Sequence, residues 1–173
     1  MVWLMARAGL RVGEVLALKR SDVDMESRVL TIRGSMSRRE GVKPVKGSAG
    51  RGRTIPMSDD LVDRLSEHLQ RTVVSIDGWL VTAPRGGSVR YDNWRTRTWY
   101  KISALADVGD INPHDLRHTL ATRLFVMDGW TVPAVQAFLG HTDPKVTLKV
   151  YTHVMSEDLP VPSSGHFVDT MGA

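Results

Sequence analysis

The sequence contains no cysteine, which excludes disulfide frameworks, thiolate zinc sites and cysteine nucleophiles. A chain without disulfides fits a reducing compartment. No apolar run approaches the roughly 18–20 residues that a membrane-spanning helix requires. The apolar stretch at residues 2–5 is too short for a signal peptide and is soon followed by Arg7 and Arg11. The sequence therefore favours a globular protein with no predicted membrane span.

Acidic residues are only slightly outnumbered by basic ones, 19 against 23, so the net charge of +4 is weak evidence for a polyanionic partner. The distribution of charge is more informative. Residues 33–53 carry seven basic side chains against Glu40, and residues 85–101 carry five against Asp92. These segments indicate a nucleic-acid surface, the alternative being a merely solvated basic surface. The residues assigned to DNA contact are Arg38, Arg39, Lys43, Arg51, Arg53, Arg95 and Arg97.

The 173 residues are enough for one domain with a proper core. Alternating apolar and polar residues predict a strand over residues 28–33, and a second short strand is predicted over residues 53–57. Residues 34–52 between them are predicted to form a long, mobile, basic loop able to reach a nucleic-acid groove. The remaining periodic segments are mostly helical. The predicted fold class is α+β, mainly α, with packed helices and a small antiparallel sheet.

Apolar periodicity and capping residues predict the first helices. One helix breaks at Gly9, where Gly9 and Gly13 allow close backbone approach, and another begins after Ser58. Trp94 and Trp99 are interleaved with arginines, as in a helix that binds a nucleic-acid backbone. We nevertheless expect both rings to be core anchors.

The segment that begins at Asn112 combines a helix start with two side chains able to bind a phosphate. Asn112 is a candidate N-cap, and Pro113 suits the first helical position. His114 and Arg117 then lie on one helical face, beside backbone N–H groups that favour an oxyanion. An apolar stripe fixes this helix to the core: Leu116, Leu120, Leu124 and Phe125. The alternative is that His114 caps the helix and Arg117 pairs with a surface acid.

Two further helices are predicted near the C-terminus. Thr131 is the expected N-cap of a helix that ends at Gly140, and with the preceding helix it has the outline of a DNA-reading helix-turn-helix. Asp143 starts another helix, which carries Tyr151. Beyond Ser156 there is no periodicity, so a loose tail is expected.

Three motifs follow one another along the chain. They are Ala8-Gly-Leu-Arg11-Val-Gly-Glu14-Val-Leu-Ala-Leu18, then His114-Asp-Leu-Arg117-His-Thr-Leu-Ala-Thr122, then Leu139-Gly-His141 with Tyr151-Thr-His153 ten residues later. In these motifs the chain resembles the catalytic domain of the tyrosine recombinase, or phage integrase, family. The resemblance covers about residues 1–155 and leaves residues 156–173 as a flexible tail.

The resemblance implies an enzyme that breaks and rejoins double-stranded DNA at specific sites, as in the integration of a prophage or viral genome. It would act through a covalent 3′-phosphotyrosine, without metal, ATP or another cofactor. The implied catalytic residues are Arg11, Lys46, His114, Arg117, His141 and the nucleophile Tyr151. The residue types support this chemistry independently. A tyrosine hydroxyl has an ordinary pKa of about 10, so its target phosphate must be activated by cations such as guanidinium groups.

A lysine would protonate the departing 5′-oxygen, and the two histidines would donate hydrogen bonds and assist proton transfer. In the family this lysine lies between the two predicted strands, where Lys46 fits better than Lys43. Four more residues are interpreted as support. Glu14 or Asp22 is a candidate partner of Arg11, the other candidate being a substrate phosphate. His118 is expected to face the core, and His153 either orients the nucleophile or faces solvent.

The resemblance also bears on domain organisation and partners. Family members usually carry further helices and a separate DNA-binding domain before the first arginine motif, so we expect an excised catalytic fragment or a shortened protein that binds DNA weakly. The implied partners are DNA and other protomers in a tetrameric synaptic complex, with a free monomer in the bacterial cytoplasm and no membrane. Pro160 and Pro162 interrupt the segment that docks onto a neighbouring subunit in many relatives, so such docking is not expected here.

Three alternatives compete with a recombinase. A non-catalytic DNA-binding module, or an inactive fragment, would share the basic segments. A type IB topoisomerase uses related chemistry, although the Leu-Gly-His motif and the small size favour the recombinase. A histidine metal site built from His114, His118, His141 and His153 would place Arg117 beside the cation and lacks a carboxylate ligand, so no metal is expected.

Overall fold

The computed structural model describes residues 1–37, 40–45, 52–72 and 75–141, together with Asp143, Lys145, Leu148 and Thr152. The helices are α1 Val2–Ala8, α2 Val12–Ala17, α3 Asp59–Arg71, α4 Tyr91–Trp94, α5 Tyr100–Leu105, α6 Asp115–Val126 and α7 Val132–Leu139. The strands are β1 Val23–Asp24, β2 Val29–Ile32, β3 Gly34–Ser37, β4 Gly41–Pro44 and β5 Arg53–Pro56. A 3₁₀ turn covers Arg20–Asp22, and a π-helical turn, Arg95–Trp99, joins α4 to α5. The predicted class, α+β and mainly α, is confirmed.

The two predicted strands, β2 and β5, pair with each other in a three-stranded antiparallel sheet of order β1-β2-β5, in which β2 is central. Leu30 of β2 lies opposite both Val23 and Ile55, so the alternation of side chains turns one face of the sheet toward the core. Leu30, Ile32 and Ile55 are fully buried. The sequence pattern therefore predicted this sheet correctly.

The prediction of a loop between these strands is wrong for residues 34–37 and 41–44. These residues form the antiparallel strand pair β3–β4, in which Gly34 lies opposite Pro44 and Ser37 lies opposite Gly41. The strands of this hairpin are mostly exposed or half-buried and contain few β-branched residues, so alternation gave no signal. Close approach to α2 helps to position the hairpin, because a Cβ on Gly13 would lie 2.5 Å from Ser35 Oγ.

The main core lies between the three-stranded sheet, helices α1 to α3, and α4 with the π-helical turn that follows it. Trp94 lies at the end of α4 and Trp99 at the end of the π-helical turn. Trp94 and Trp99 are 7% and 2% exposed, and their ring centroids are 5.8 Å apart. Trp99 Nε1 donates a hydrogen bond to the carbonyl oxygen of Ile111 at 3.1 Å. The interpretation of both rings as core anchors is confirmed.

A second apolar cluster joins α6 to α7. Leu120 and Leu124 of the predicted stripe are buried with Val135 and Leu139, while Phe125 packs at the edge. Thr131 accepts a hydrogen bond from the backbone of Ala134, and Gly140 ends α7 in the left-handed region, as the capping pattern predicted. The residues that flank the two helices therefore fix where α7 starts and stops.

The junction between α1 and α2 depends on Gly9. Its φ of 63° and ψ of 24° place it in the left-handed region, which disfavours residues with a side chain. A Cβ at this position would lie 2.3 Å from Leu139 Cδ2 of α7. Gly9 therefore combines a backbone requirement with a packing requirement.

Gly9→Ala is expected to lower the free energy of unfolding by about 2–4 kcal/mol, because backbone strain adds to overpacking. Urea denaturation measures the change. Gly129→Ala is the matched control, since Gly129 has a φ of 65° and a Cβ added there would meet no atom within 4 Å. The control should lose about 1 kcal/mol from strain alone. Equal losses in the two variants would contradict the packing requirement at Gly9.

Candidate active site

Arg11 is the N-cap residue of α2, and both its backbone and its side chain donate hydrogen bonds to one carboxylate. Its backbone N–H donates to Glu14 Oε2 at 2.9 Å, and its Nη1 donates to Glu14 Oε1 at 3.0 Å. The Glu14 side chain is 2% exposed, whereas that of Arg11 is 42% exposed. The expectation that Glu14 pairs with Arg11 is confirmed. The alternative partner, Asp22, instead accepts from Lys19 N at 2.9 Å and Arg33 Nε at 3.0 Å.

Arg117 occupies a core position on α6 and is 1% exposed. Its Nη1 donates to the carbonyl oxygen of Gly9 at the end of α1, and its Nη2 donates to that of Leu139 at the end of α7, at 2.7 Å. Within the described part of the chain its buried Nε has no acceptor. The alternative in which Arg117 pairs with a surface acid is therefore wrong.

Three histidines lie around these arginines. His114 directly precedes α6, which starts at Asp115. Its backbone N–H donates a hydrogen bond to Asn112 Oδ1 at 2.9 Å. His118 was expected to face the core and is instead exposed, because its neighbour Arg117 takes the inward position on α6. The rings of His114 and His118 meet edge to face with centroids 4.7 Å apart. His141 follows the left-handed Gly140 that ends α7.

These arginines and histidines lie close enough for their charges to change one another's pKa. Burial and the charge of Arg11 lower the pKa of Arg117 to about 9, with Glu14 opposing the shift and Arg53 adding to it. Burial and the charges of Arg117 and Arg11 lower the pKa of His141 to about 4, and His118 and His114 contribute further. The structure therefore brings together Arg11, His114, Arg117 and His141 from the predicted catalytic set. Arg117 stays protonated at neutral pH, while His141 is neutral.

The low pKa of His141 predicts a defined pH dependence. Because the folded value of about 4 lies below the ordinary 6.5, the unfolded chain takes up the proton first as the pH falls. The contribution of neutral His141 to stability should be complete above pH 6.5 and decline between 6.5 and about 4. NMR titration of the imidazole measures the pKa directly, and urea unfolding of the parent and His141→Asn isolates the contribution. A titration midpoint at 6 or above would contradict the assigned surroundings.

Arg11 stands between two clefts. The larger, about 840 Å³, is lined by Arg11, Lys43, Arg53 and His141, and also by Val45, the residue before Lys46 in the sequence. The smaller, about 460 Å³, is also lined by residues of α4, the π-helical turn and the segment just before α6: Tyr91, Arg95, Asn112, Pro113 and His114. The exposed guanidinium of Arg11 can thus meet a ligand that enters from either side.

Arg53 was predicted to contact DNA, and the structure corrects this interpretation. Its side chain is 13% exposed and forms a bidentate ion pair with Glu14, with Nη1–Oε1 and Nη2–Oε2 both at 2.9 Å. The alternation of side chains along the strand is the sequence signal that would have predicted an inward-facing Arg53. Arg53 lies two residues before the buried Ile55 and shares its face, while Thr54 between them is exposed.

The other predicted DNA contacts that are described lie on the surface or near it. Lys43 is exposed and pairs with Glu40. Arg97 is exposed, whereas Arg95 is half-buried with its guanidinium carbon 5.5 Å from the centroid of the Tyr100 ring. Nine residues named from the sequence lie outside the described residues: Arg38, Arg39, Lys46, Arg51, Tyr151, His153, Ser156, Pro160 and Pro162.

Part of the helix predicted to carry Tyr151 is described. Lys145, Leu148 and Thr152 are helical. Lys145 N donates to Asp143 Oδ1 at 2.9 Å, which agrees with Asp143 as the N-cap, and Thr152 Oγ1 donates to the carbonyl oxygen of Leu148 at 2.9 Å. The described residues of this segment therefore agree with the predicted helix.

Comparison with known proteins decides the family. Residues 1–158 match the phage integrase family. The chain belongs to the phage integrase family. It is 33% identical to the tyrosine recombinase XerD of Ralstonia nicotianae, over 96% of this chain and 51% of that protein. It is 31% identical to the tyrosine recombinase XerA of Thermococcus kodakarensis, over 91% of this chain and 51% of that protein.

The integrase fold is also found among solved structures. The Tn1549 transposon integrase, in complex with a circular intermediate DNA, superposes with a TM-score of 0.74 at 22% identity, over 92% of this chain and 57% of that chain. The present chain spans about half the length of the curated relatives it matches. In the described portion, no helix is long and apolar enough to cross a membrane, and no three metal-ligating side chains come together.

Proposed function

We propose that this chain is the catalytic domain, over about residues 1–155, of a site-specific DNA recombinase. It cleaves and rejoins strands through a covalent 3′-phosphotyrosyl intermediate on Tyr151, without metal or ATP. The observation that carries the proposal is that Arg11 and His141, from distant segments, line one cleft, with buried Arg117 close enough for its charge to lower the pKa of His141. All three lie within residues 1–158, which match the phage integrase family.

The arrangement suits transfer of a phosphoryl group to a phenol. The Tyr151 oxygen attacks phosphorus, the bond to the 5′-oxygen breaks, and negative charge builds on the non-bridging oxygens. Arg11 is exposed enough to donate to those oxygens, and Arg117 adds a fixed positive charge behind it. Neutral His141 can donate one hydrogen bond or accept the phenolic proton. Lys46 is the proposed donor of a proton to the leaving 5′-oxygen, with Lys43 as the alternative.

The proposed substrate is double-stranded DNA. The protein is proposed to be a monomer when free and to join other protomers in a tetrameric synaptic complex on DNA in the cytoplasm. The proposed contact residues are Arg38, Arg39, Lys43, Arg51, Arg95 and Arg97. Lys43 lines the larger cleft beside Arg11, and Arg95 lines the smaller one. Lys43 and Arg97 are exposed, so phosphates can approach them and be attracted electrostatically. Because contacts to phosphates release counterions, we expect binding that depends steeply on salt.

A nicked-duplex assay tests the proposal. The probe is a pool of duplexes with randomised sequence and one nick a few base pairs from the scissile phosphate, so that the short cleaved strand diffuses away and traps the intermediate. Low salt and excess protein compensate for weak binding. We expect a protein–DNA adduct that survives SDS. Binding of the duplexes without any adduct would indicate a non-catalytic DNA-binding module.

A further inference from the structure

The carboxylate of Glu14 is shared equally between two arginines. Oε1 accepts from Arg11 Nη1 at 3.0 Å and from Arg53 Nη1 at 2.9 Å. Oε2 accepts from the backbone N–H of Arg11 and from Arg53 Nη2, both at 2.9 Å. A bidentate pair fixes the plane of the carboxylate as well as its position. The orientation of Glu14, and through it that of Arg11, therefore depends on Arg53.

Arg53 also contacts the end of α7. Its Nε donates to the carbonyl oxygen of Phe138 at 3.1 Å. A Cβ on Gly140 would lie 2.8–2.9 Å from atoms of the Arg53 side chain, so only glycine lets the two segments pack this closely. Since His141 follows Gly140 directly, the arginine fixes the segment that carries this histidine.

The sheet holds Arg53 in place. Its backbone lies opposite Ile32 in β2, and Ile55, two residues further along the same face, is 1% exposed. Each of the three guanidinium nitrogens donates to an acceptor within the protein. Arg53 is thus a rigid, nearly buried cation that joins β5 to both Glu14 and α7.

We propose that Arg53 is a positioning residue for strand transfer, which orients Arg11 through Glu14 and His141 through the end of α7. The inference rests on the proposed recombinase function. Without Arg53 the Glu14 carboxylate keeps only its hydrogen bonds from Arg11 and loses the bidentate partner that fixes its plane. The half-exposed Arg11 side chain is then held less firmly in its direction. Misplacement of a catalytic group by about 1 Å can slow a reaction by about 10²-fold.

The test compares Arg53→Gln and Arg53→Lys with the parent chain in single-turnover cleavage of the nicked duplex. Measurements are made well below the melting temperature of each variant, and the Kd for the duplex is measured at the same salt. Both variants should cleave about 10–100-fold more slowly, with Kd changed by no more than about twofold. Arg53→Lys keeps the charge but lacks the planar fork, so it should restore little of the rate.

Arg33→Gln is the matched control. Arg33 follows β2 as Arg53 opens β5, and it also donates to a buried carboxylate, Asp22, at 3.0 Å. It does not line either cleft beside Arg11. Because the rate is compared for bound DNA, the control should cleave at the parent rate even if its Kd changes. Equal slowing of the Arg33 and Arg53 variants would overturn the inference in favour of general destabilisation.

Two further results separate this inference from the proposed function. An Arg53→Gln variant that binds DNA more weakly but cleaves bound DNA at the parent rate would make Arg53 a DNA contact and overturn the inference. Absence of an adduct with the parent chain would overturn the recombinase function and the catalytic part of the inference.

NMR tests the positioning itself without activity, because the Arg11 amide and His141 imidazole signals should shift in Arg53→Gln and not in Arg33→Gln. Unchanged signals in both would overturn it.

Discussion

The Tyr151→Phe chain is expected to give no covalent adduct with the nicked duplex, a loss of at least about 10⁴-fold. The substitution removes only the oxygen that forms the bond to phosphorus, and no other group in the proposed mechanism can replace it. The ring remains, so the fold and the affinity for DNA should be unchanged. The measurement is the SDS-resistant adduct, followed to the detection limit.

The chain offers a complete set of controls, because it contains only three tyrosines. Tyr91 lines the smaller cleft, and Tyr100 is 44% exposed beside Arg95. Tyr91→Phe and Tyr100→Phe should both form the adduct in parent yield. If Tyr151→Phe kept the adduct and one of these lost it, the assignment of the nucleophile would be wrong.

Arg117→Ala is expected to reduce the cleavage rate of the nicked duplex by about 10²–10³-fold or more, which is typical for loss of one group that stabilises transition-state charge. It should also lower the free energy of unfolding, since the buried carbonyl oxygens of Gly9 and Leu139 lose their donor. Each unpaired carbonyl costs about 1–3 kcal/mol. Single-turnover cleavage and urea denaturation measure the two effects separately.

A second variant separates catalysis from folding at this position. Arg117→Lys keeps a positive charge but cannot bridge two carbonyls with one planar group, so it should fold better than Arg117→Ala and still cleave at least about 10-fold more slowly than the parent. The control is Arg123→Ala on the same helix, where the side chain is 52% exposed and lies 4.0 Å from Asp128. Slowing by Arg123→Ala comparable to that by Arg117→Lys would contradict a specific role for Arg117.

The sequence predicted those features that depend on neighbouring residues. Alternation located β2 and β5, and capping residues located the ends of α7 and the turn at Gly9. The sequence also offered Glu14, with Asp22, as a candidate partner of Arg11, and a spacing of three residues makes the Arg11–Glu14 pair possible within a single turn. In each case the signal and the contact lie within a few residues of each other.

The features that were missed depend on contacts between distant segments. The acceptors of Arg117 are carbonyl oxygens 108 and 22 residues away, and every residue type presents the same carbonyl group. The partner of Arg53 lies 39 residues away, so its charge alone made it resemble a surface cation. The β3–β4 hairpin relies on backbone pairing and on space beside Gly13, neither of which gives an alternating pattern.

Three guanidinium groups, those of Arg11, Arg53 and Arg117, lie close enough to one another for their charges to interact. The hydrogen bonds and charges of Arg53 and Arg11 lower the pKa of Glu14 although burial alone would raise it, so this carboxylate remains ionised. The charges of Arg11 and Arg53 lower the pKa of Arg117, so mutual repulsion among the three cations opposes their arrangement. Under the proposed function, we expect a duplex that enters the cleft to act as a counterion and to stabilise the folded chain.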